Sequence, residues 1–302
     1  MRVLYAGDSP AGGPAHYLLG ILRRMKAQVK HLAPEERLSP STLQAPYDGI
    51  ILSDFSRDHV PDKSQKLIEG QVKKGAGLLM VGGWASFSGP YGGWHGSLVE
   101  KLLPVTCLGR DDLVSFPAGA LILEKVKHPM FRSVSFTNPP SIAGLNRFLP
   151  KKGSITILAA RRILARLPLT PTLSPKGRGQ RGSFRRGQGE GVIRLEEREY
   201  PLLVVDRERR VAALATDLAP HWSGGLLDWG RRRLTLPAHD VITIEVGETY
   251  VRFVSSLLKW LTNVELDPRY SPKELAGRFK RSNSLEGLEG IFRLAKALNQ
   301  LK

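Results

Sequence analysis

Short apolar runs alternate with helical patterns through the first third of the chain, and this alternation constrains the fold more than any other feature. Residues 3–7 (VLYAG), 29–32, 47–54 (YDGIILSD) and 77–83 (GLLMVGG) read as strands. Ile50, Ile51 and Leu52 are apolar without a break, as in a strand buried on both faces. Between the runs, residues 16–26 place Tyr17, Leu18, Ile21, Leu22 and Met25 on one helical face, and residues 62–74 do the same with Leu67, Ile68 and Val72. Strand, helix, strand repeated in this way predicts an α/β domain: a mostly parallel, flavodoxin-like sheet with right-handed crossovers and helices on both faces.

Later segments continue the pattern less cleanly. Residues 96–103 read as a short helix, residues 119–125 and 154–159 as strands, and residues 201–206 with 211–216 as a hairpin. Residues 217–229 read as a loop. Residues 247–261 form an amphipathic helix with Tyr250, Phe253, Val254, Leu257, Leu258 and Leu261 facing inward. The expected division is a domain over residues 1–263, interrupted by an insertion at 166–194, followed by a helical tail over 264–302 with a helix at 285–301.

The insertion matters for the charge. The chain carries a formal +17, which invites a nucleic-acid reading through phosphate neutralisation. Residues 166–194, however, hold seven Lys and Arg against one Glu, together with six Gly and three Pro. That composition buries too little apolar surface to offset chain entropy and predicts disorder. The remaining charge is scattered except at Arg231, Arg232 and Arg233, so a basic nucleic-acid-binding protein is a disfavoured alternative. One cysteine among 302 residues excludes an internal disulfide. The opening residues lack a signal-peptide pattern and no apolar stretch reaches membrane-spanning length, so the expected location is cytoplasmic with no membrane partner.

In an open parallel sheet, ligands bind beyond the carboxyl ends of the strands. The loops expected there carry Asp8 and Ser9; Asp54; Gly82, Gly83, Trp84 and Ser86; and Asp217, His221 and Trp222. Asp8, Ser9, Asp54, Gly82, Gly83, Trp84, Asp217 and Trp222 are the candidate ligand-binding residues, and Ser86 and His221 the candidate catalytic pair. Phosphate-loop and dinucleotide-binding spacings are absent, and no paired His stand at metal-ligand spacing, so neither cofactor nor metal is expected.

The segments YDGIILSD, GAGLLMVGGWASFSG, EKLLPV, KHPMF, RRVAALATDLAPHW and VGETYVRFVSSLLKWL resemble the class I glutamine amidotransferase-like family, relatives of the ThuA-like group. The resemblance covers residues 1–262 apart from the insertion. It implies a flavodoxin-like domain and, in active members, a nucleophilic Cys in a Gly-x-Cys-x-Gly elbow with a His-x-Glu dyad downstream. Here Gly82, Gly83 and Trp84 occupy the elbow, Cys107 lies in another context, and Ser223 stands two residues after His221. The expectation is a protein without the Cys nucleophile that binds a small polar ligand or a partner protein. The alternative is an active amidotransferase using Cys107 and His221.

Overall fold

The computed structural model describes residues 1–11, 13–167, 192–239 and 241–263. Strand β1 (Arg2–Gly7) passes through a Pro- and Gly-rich turn into α1 (Pro14–Arg24) and β2 (Gln28–Leu32). Pro14 suits a helix start because its φ is already helical and its missing N–H would have had no intrahelical partner. Strand β3 (Gly49–Ser53), α2 (Asp62–Lys73) and β4 (Gly77–Val81) repeat the unit. Every residue of β3 and β4 is buried, as the unbroken apolar runs require.

After α3 (Leu98–Leu102) the chain changes character. Strands β5 (Val105–Cys107), β6 (Leu113–Glu124), β7 (Ser141–Asn146), β8 (Phe148–Pro150), β9 (Ile155–Leu167), β10 (Val192–Val205) and β11 (Val211–Leu214) follow one another. Helix α4 (Pro220–Leu227), the hairpin β12 (Arg233–Pro237) and β13 (Thr243–Gly247), and α5 (Glu248–Thr262) complete the described chain.

Nine strands form the main sheet in the order β2-β1-β3-β4-β11-β10-β9-β6-β7. The first five are parallel, in the 2-1-3-4-5 order of flavodoxin-like domains. The other four are antiparallel. Strand β11 therefore joins the two halves, pairing parallel with β4 and antiparallel with β10. Helices α1 and α5 pack together, as do α2 and α3, and right-handed crossovers put the two pairs on opposite faces. In α5 all six expected inward residues are buried, each contributing about 1.5–3 kcal/mol of gross apolar burial.

The structure corrects several expectations. The loop expected at 217–229 contains α4, and β12 with β13 forms a hairpin that the sequence pattern did not show. Expected strands at 119–125 and 154–159 are parts of the much longer β6 and β9. Most of the expected insertion, residues 168–191, and the expected tail at 264–302 lie outside the described residues. The insertion's flanks are strand, with Leu167 opposite Val192 at the last described rung of the β9–β10 hairpin.

Candidate functional site

The connection from β1 crosses to β2 on one side and the connection from β3 crosses to β4 on the other, so a crevice opens between their carboxyl ends. Asp8 and Asp54 stand at these two ends, both with φ of 48° in the left-handed region. Asp tolerates that region better than most residues, at a cost of order 1 kcal/mol. The turns aim both carboxyl groups at a cavity of about 860 Å³.

Asp8 Oδ2 accepts the Tyr5 hydroxyl at 2.6 Å. Burial pushes its pKa up to about 7 against the opposing hydrogen bonds from Ser53 and Tyr5, and the nearby Asp54 carboxyl pushes the same way. Asp54 Oδ1 accepts the Ala85 N–H at 2.6 Å. Burial raises its pKa as well, opposed by the Ala85 N–H and His221. Gly83 makes this approach possible, because a Cβ there would stand 2.5 Å from Asp54 Oδ1.

The third carboxyl group comes from the end of β11. Asp217 Oδ2 accepts the Trp222 N–H at 3.2 Å and lies 3.9 Å from His221 Nδ1. Burial pushes Asp217 up to about 8, with Asp8 adding to the effect. The Trp222 ring packs against β7 at Gly144, where a Cβ would come within 2.9 Å of the indole. Trp84 and Tyr91 stand at the cavity with 55% and 66% exposure, whereas most large aromatic side chains among the described residues are buried.

Among the sequence-predicted residues, Asp8, Asp54, Gly82, Gly83, Trp84, Asp217, His221 and Trp222 line the one cavity. Ser9 and Ser86 do not. The Ser86 hydroxyl is buried, donating to Val81 O at 2.5 Å and accepting the Asp54 N–H at 3.0 Å, so it braces the turn after β4. Cys107 is likewise outside the cavity, buried in β5, where its N–H donates to Glu100 Oε1 at 2.7 Å. Burial, then the Glu100 and Asp112 carboxyl groups, push its thiol far above the ordinary value.

Pro34, Ser56, Asp58, His59, Ala85 and Tyr91 also line the cavity and were not among the predicted residues. The polar cluster Ser56, Asp58 and His59 just past Asp54 was a usable signal. Asn146 was not visible at all. Fully buried, it accepts the Gly83 N–H at 2.9 Å and donates to Gly83 O at 3.1 Å and Asp112 Oδ1 at 2.7 Å. Asp112 in turn accepts the Ser88 N–H at 2.7 Å and is pushed up to about 6, chiefly by burial. Together they clamp the glycine turn from behind. A depression of about 920 Å³ between Leu123 and Thr137 is slightly larger, but one contiguous stretch lines it and no strand of the parallel half ends there.

No three His, Cys, Asp or Glu side chains among the described residues are arranged to hold a metal ion. No helix among them is long and apolar enough to cross a membrane.

The strand order and the crevice at its switch point define a flavodoxin-like α/β protein with its candidate site on the carboxyl edge of the sheet. The family model described as "Putative glutamine amidotransferase" matches residues 13–182, more than half of the chain, and the chain belongs to that glutamine amidotransferase-like family. Two solved structures of cytoplasmic proteins from Salmonella typhimurium share the fold. One is 22% identical, covering 74% of this chain and 90% of its own, with a TM-score of 0.52. The other is 19% identical, covering 85% and 98%, with a TM-score of 0.55. A ThuA-like protein from Bacteroides uniformis is 13% identical over 86% of this chain and 91% of its own, with a TM-score of 0.48. No curated protein matches the chain.

Proposed function

We propose that this chain is an amidotransferase-like protein that does not hydrolyse glutamine through a thiol and instead binds a small polar ligand in the cavity among Asp8, Asp54 and Asp217. One observation carries the reading: the turn after β4 presents Gly82, Gly83 and Trp84 to the cavity, while the single cysteine is buried elsewhere. Thiol chemistry needs an accessible thiolate beside a base and free backbone N–H groups to receive an oxyanion. Cys107 has a raised pKa, and the Ala85 N–H of the turn already serves Asp54. The engaged Ser86 hydroxyl argues equally against a serine hydrolase built on the same turn. A partner protein's side chain entering the same cavity would use the same groups. The two Salmonella proteins are described as cytoplasmic, and the same compartment is proposed here.

The test is ammonia release from glutamine by the purified protein, run beside Cys107→Ser. No release is expected from either. Release by the parent protein that disappears in Cys107→Ser would overturn the proposal and establish the amidotransferase alternative. A thermal-shift screen of small polar compounds supplies the positive arm, and hits should lose their effect in Trp84→Ala.

A further inference from the structure

We propose that the ligand of this cavity is an organic cation, an ammonium compound held between the carboxylates of Asp8, Asp54 and Asp217 and the aromatic faces of Trp84 and Tyr91. The inference rests on the ligand-binding proposal above and deepens it.

The first observation is the sign of the charge. Four carboxyl groups, Asp8, Asp54, Asp58 and Asp217, line the cavity, and among the described residues no Lys or Arg does. The chain as a whole carries +17, so the cavity gathers acid against the prevailing sign. An anionic ligand would find no cation with a permanent charge there.

The second observation is independent of the first. Asp217 lines the cavity while only 6% exposed, its Oδ2 taking one long hydrogen bond from the Trp222 N–H at 3.2 Å and lying 3.9 Å from His221 Nδ1. A carboxyl group this buried is costly to ionise unless a further donor or a positive charge comes to it. An ammonium group supplies donors and charge together.

The third is the pair of exposed rings. Trp84 and Tyr91 leave large apolar faces at the mouth of an acidic cavity. Indole and phenol faces attract cations through the ring quadrupole, and ammonium ligands are typically held by such rings next to carboxylates. The volume of about 860 Å³ lies within the range of small-molecule sites.

The titration behaviour agrees. Asp8 and Asp217 are pushed up to about 7 and about 8. A bound cation favours their ionised forms, so binding should release protons and strengthen as pH rises from 6 to 8.5. Facing these two carboxyl groups are Tyr5, Asp54, His221 and Tyr250, with Asp58 and His59 elsewhere on the wall. Tyr5 and Tyr250 are raised further by burial and stay protonated throughout this range.

Calorimetric titration with putrescine and with choline, at fixed ionic strength and at pH 6 and 8.5, tests the inference. At least one amine is expected to bind, tenfold or more tightly at the higher pH, with an enthalpy that depends on the buffer because protons are released. Trp84→Ala and Asp54→Asn should each weaken it at least tenfold; Trp84 is exposed, so its variant keeps the fold. If neither amine binds, or if the two variants bind as the parent does, the inference is wrong. If glucose, as a neutral polyol probe, binds in a Trp84-dependent way and the amines do not, the cation inference falls while the cavity reading stands. Ammonia release dependent on Cys107 would remove the reading itself.

Discussion

Replacing Asp217 by Asn should stabilise the protein most at pH 8 and far less at pH 5. The carboxyl group is buried and its Oδ2 accepts the Trp222 N–H. Burial first, then Asp8, push its pKa up to about 8, whereas an unfolded Asp titrates at about 3.9. The folded chain therefore holds a proton that the unfolded chain has released. Stability from this group is fully present below about pH 4 and is lost as pH rises through the window ending at about 8. Each unit in that window removes about 1.4 kcal/mol, so pH 5 to 8 removes about 4 kcal/mol. That is a large part of the ~5–15 kcal/mol typical of a domain. Asn keeps an oxygen for the Trp222 N–H and carries no charge, so its variant lacks this slope. Asp8 adds a slope of its own up to about pH 7 in both proteins, so the difference between them is diagnostic. Urea unfolding at pH 5, 6.5 and 8, with unchanged m-values, should show the curves diverging by about 2–4 kcal/mol at pH 8. Parallel pH profiles would refute the reasoning.

Three further outcomes are expected. Gly83→Ala drives a methyl group to 2.5 Å from Asp54 Oδ1; the displaced carboxyl should cost about 1–3 kcal/mol in urea unfolding and abolish binding of any ligand found for the cavity. Asn146→Ala leaves the buried Gly83 N–H without its acceptor and Asp112 Oδ1 without its Asn146 donor, which should cost about 2–4 kcal/mol and push Asp112 above its present value of about 6. Leu167 and Val192 are directly opposed, so replacing residues 168–191 by Asn-Gly should close the β9–β10 hairpin and shift stability by no more than about 1 kcal/mol. A cooperative thermal transition should persist; its loss would show that the excised residues contribute to the fold.

The parallel half was legible because its physics is local. Strands such as β3 and β4 are buried on both faces and announce themselves as unbroken apolar runs, and α5 shows its inward face directly. The antiparallel half was legible only in part: the hairpin expected at 201–206 and 211–216 is the β10–β11 pair, but β6 carries Pro117 and Gly119 inside it and its pairing with β7 shifts register between Ser115 and Ala120. Helix α4 looked like a loop since Pro220, Gly224 and Gly225 are poor helix formers in isolation; packing on β7 overrides that propensity. For the cavity, residues just past strand ends could be named from topology alone. Asp112 and Asn146 could not, as each has its partner distant in sequence, and only the folded register brings them together.

The position of β11 between β4 and β10 sets the order in which the molecule can be born. About 130 residues separate the end of β4 from the start of β11, and at ~5–20 residues per second a ribosome needs on the order of ten seconds to deliver them. Throughout that interval the nascent chain carries GLLMV as a bare, fully apolar edge, the kind of strand that recruits other chains. Asp217, His221 and Trp222 emerge only after β11 is made, so no nascent chain that ends before Trp222 holds a complete cavity. A pairing this remote in sequence also makes the closing step slow relative to the local assembly of β6, β7, β9 and β10. Newly made protein should therefore depend on chaperones during synthesis more than its finished stability suggests.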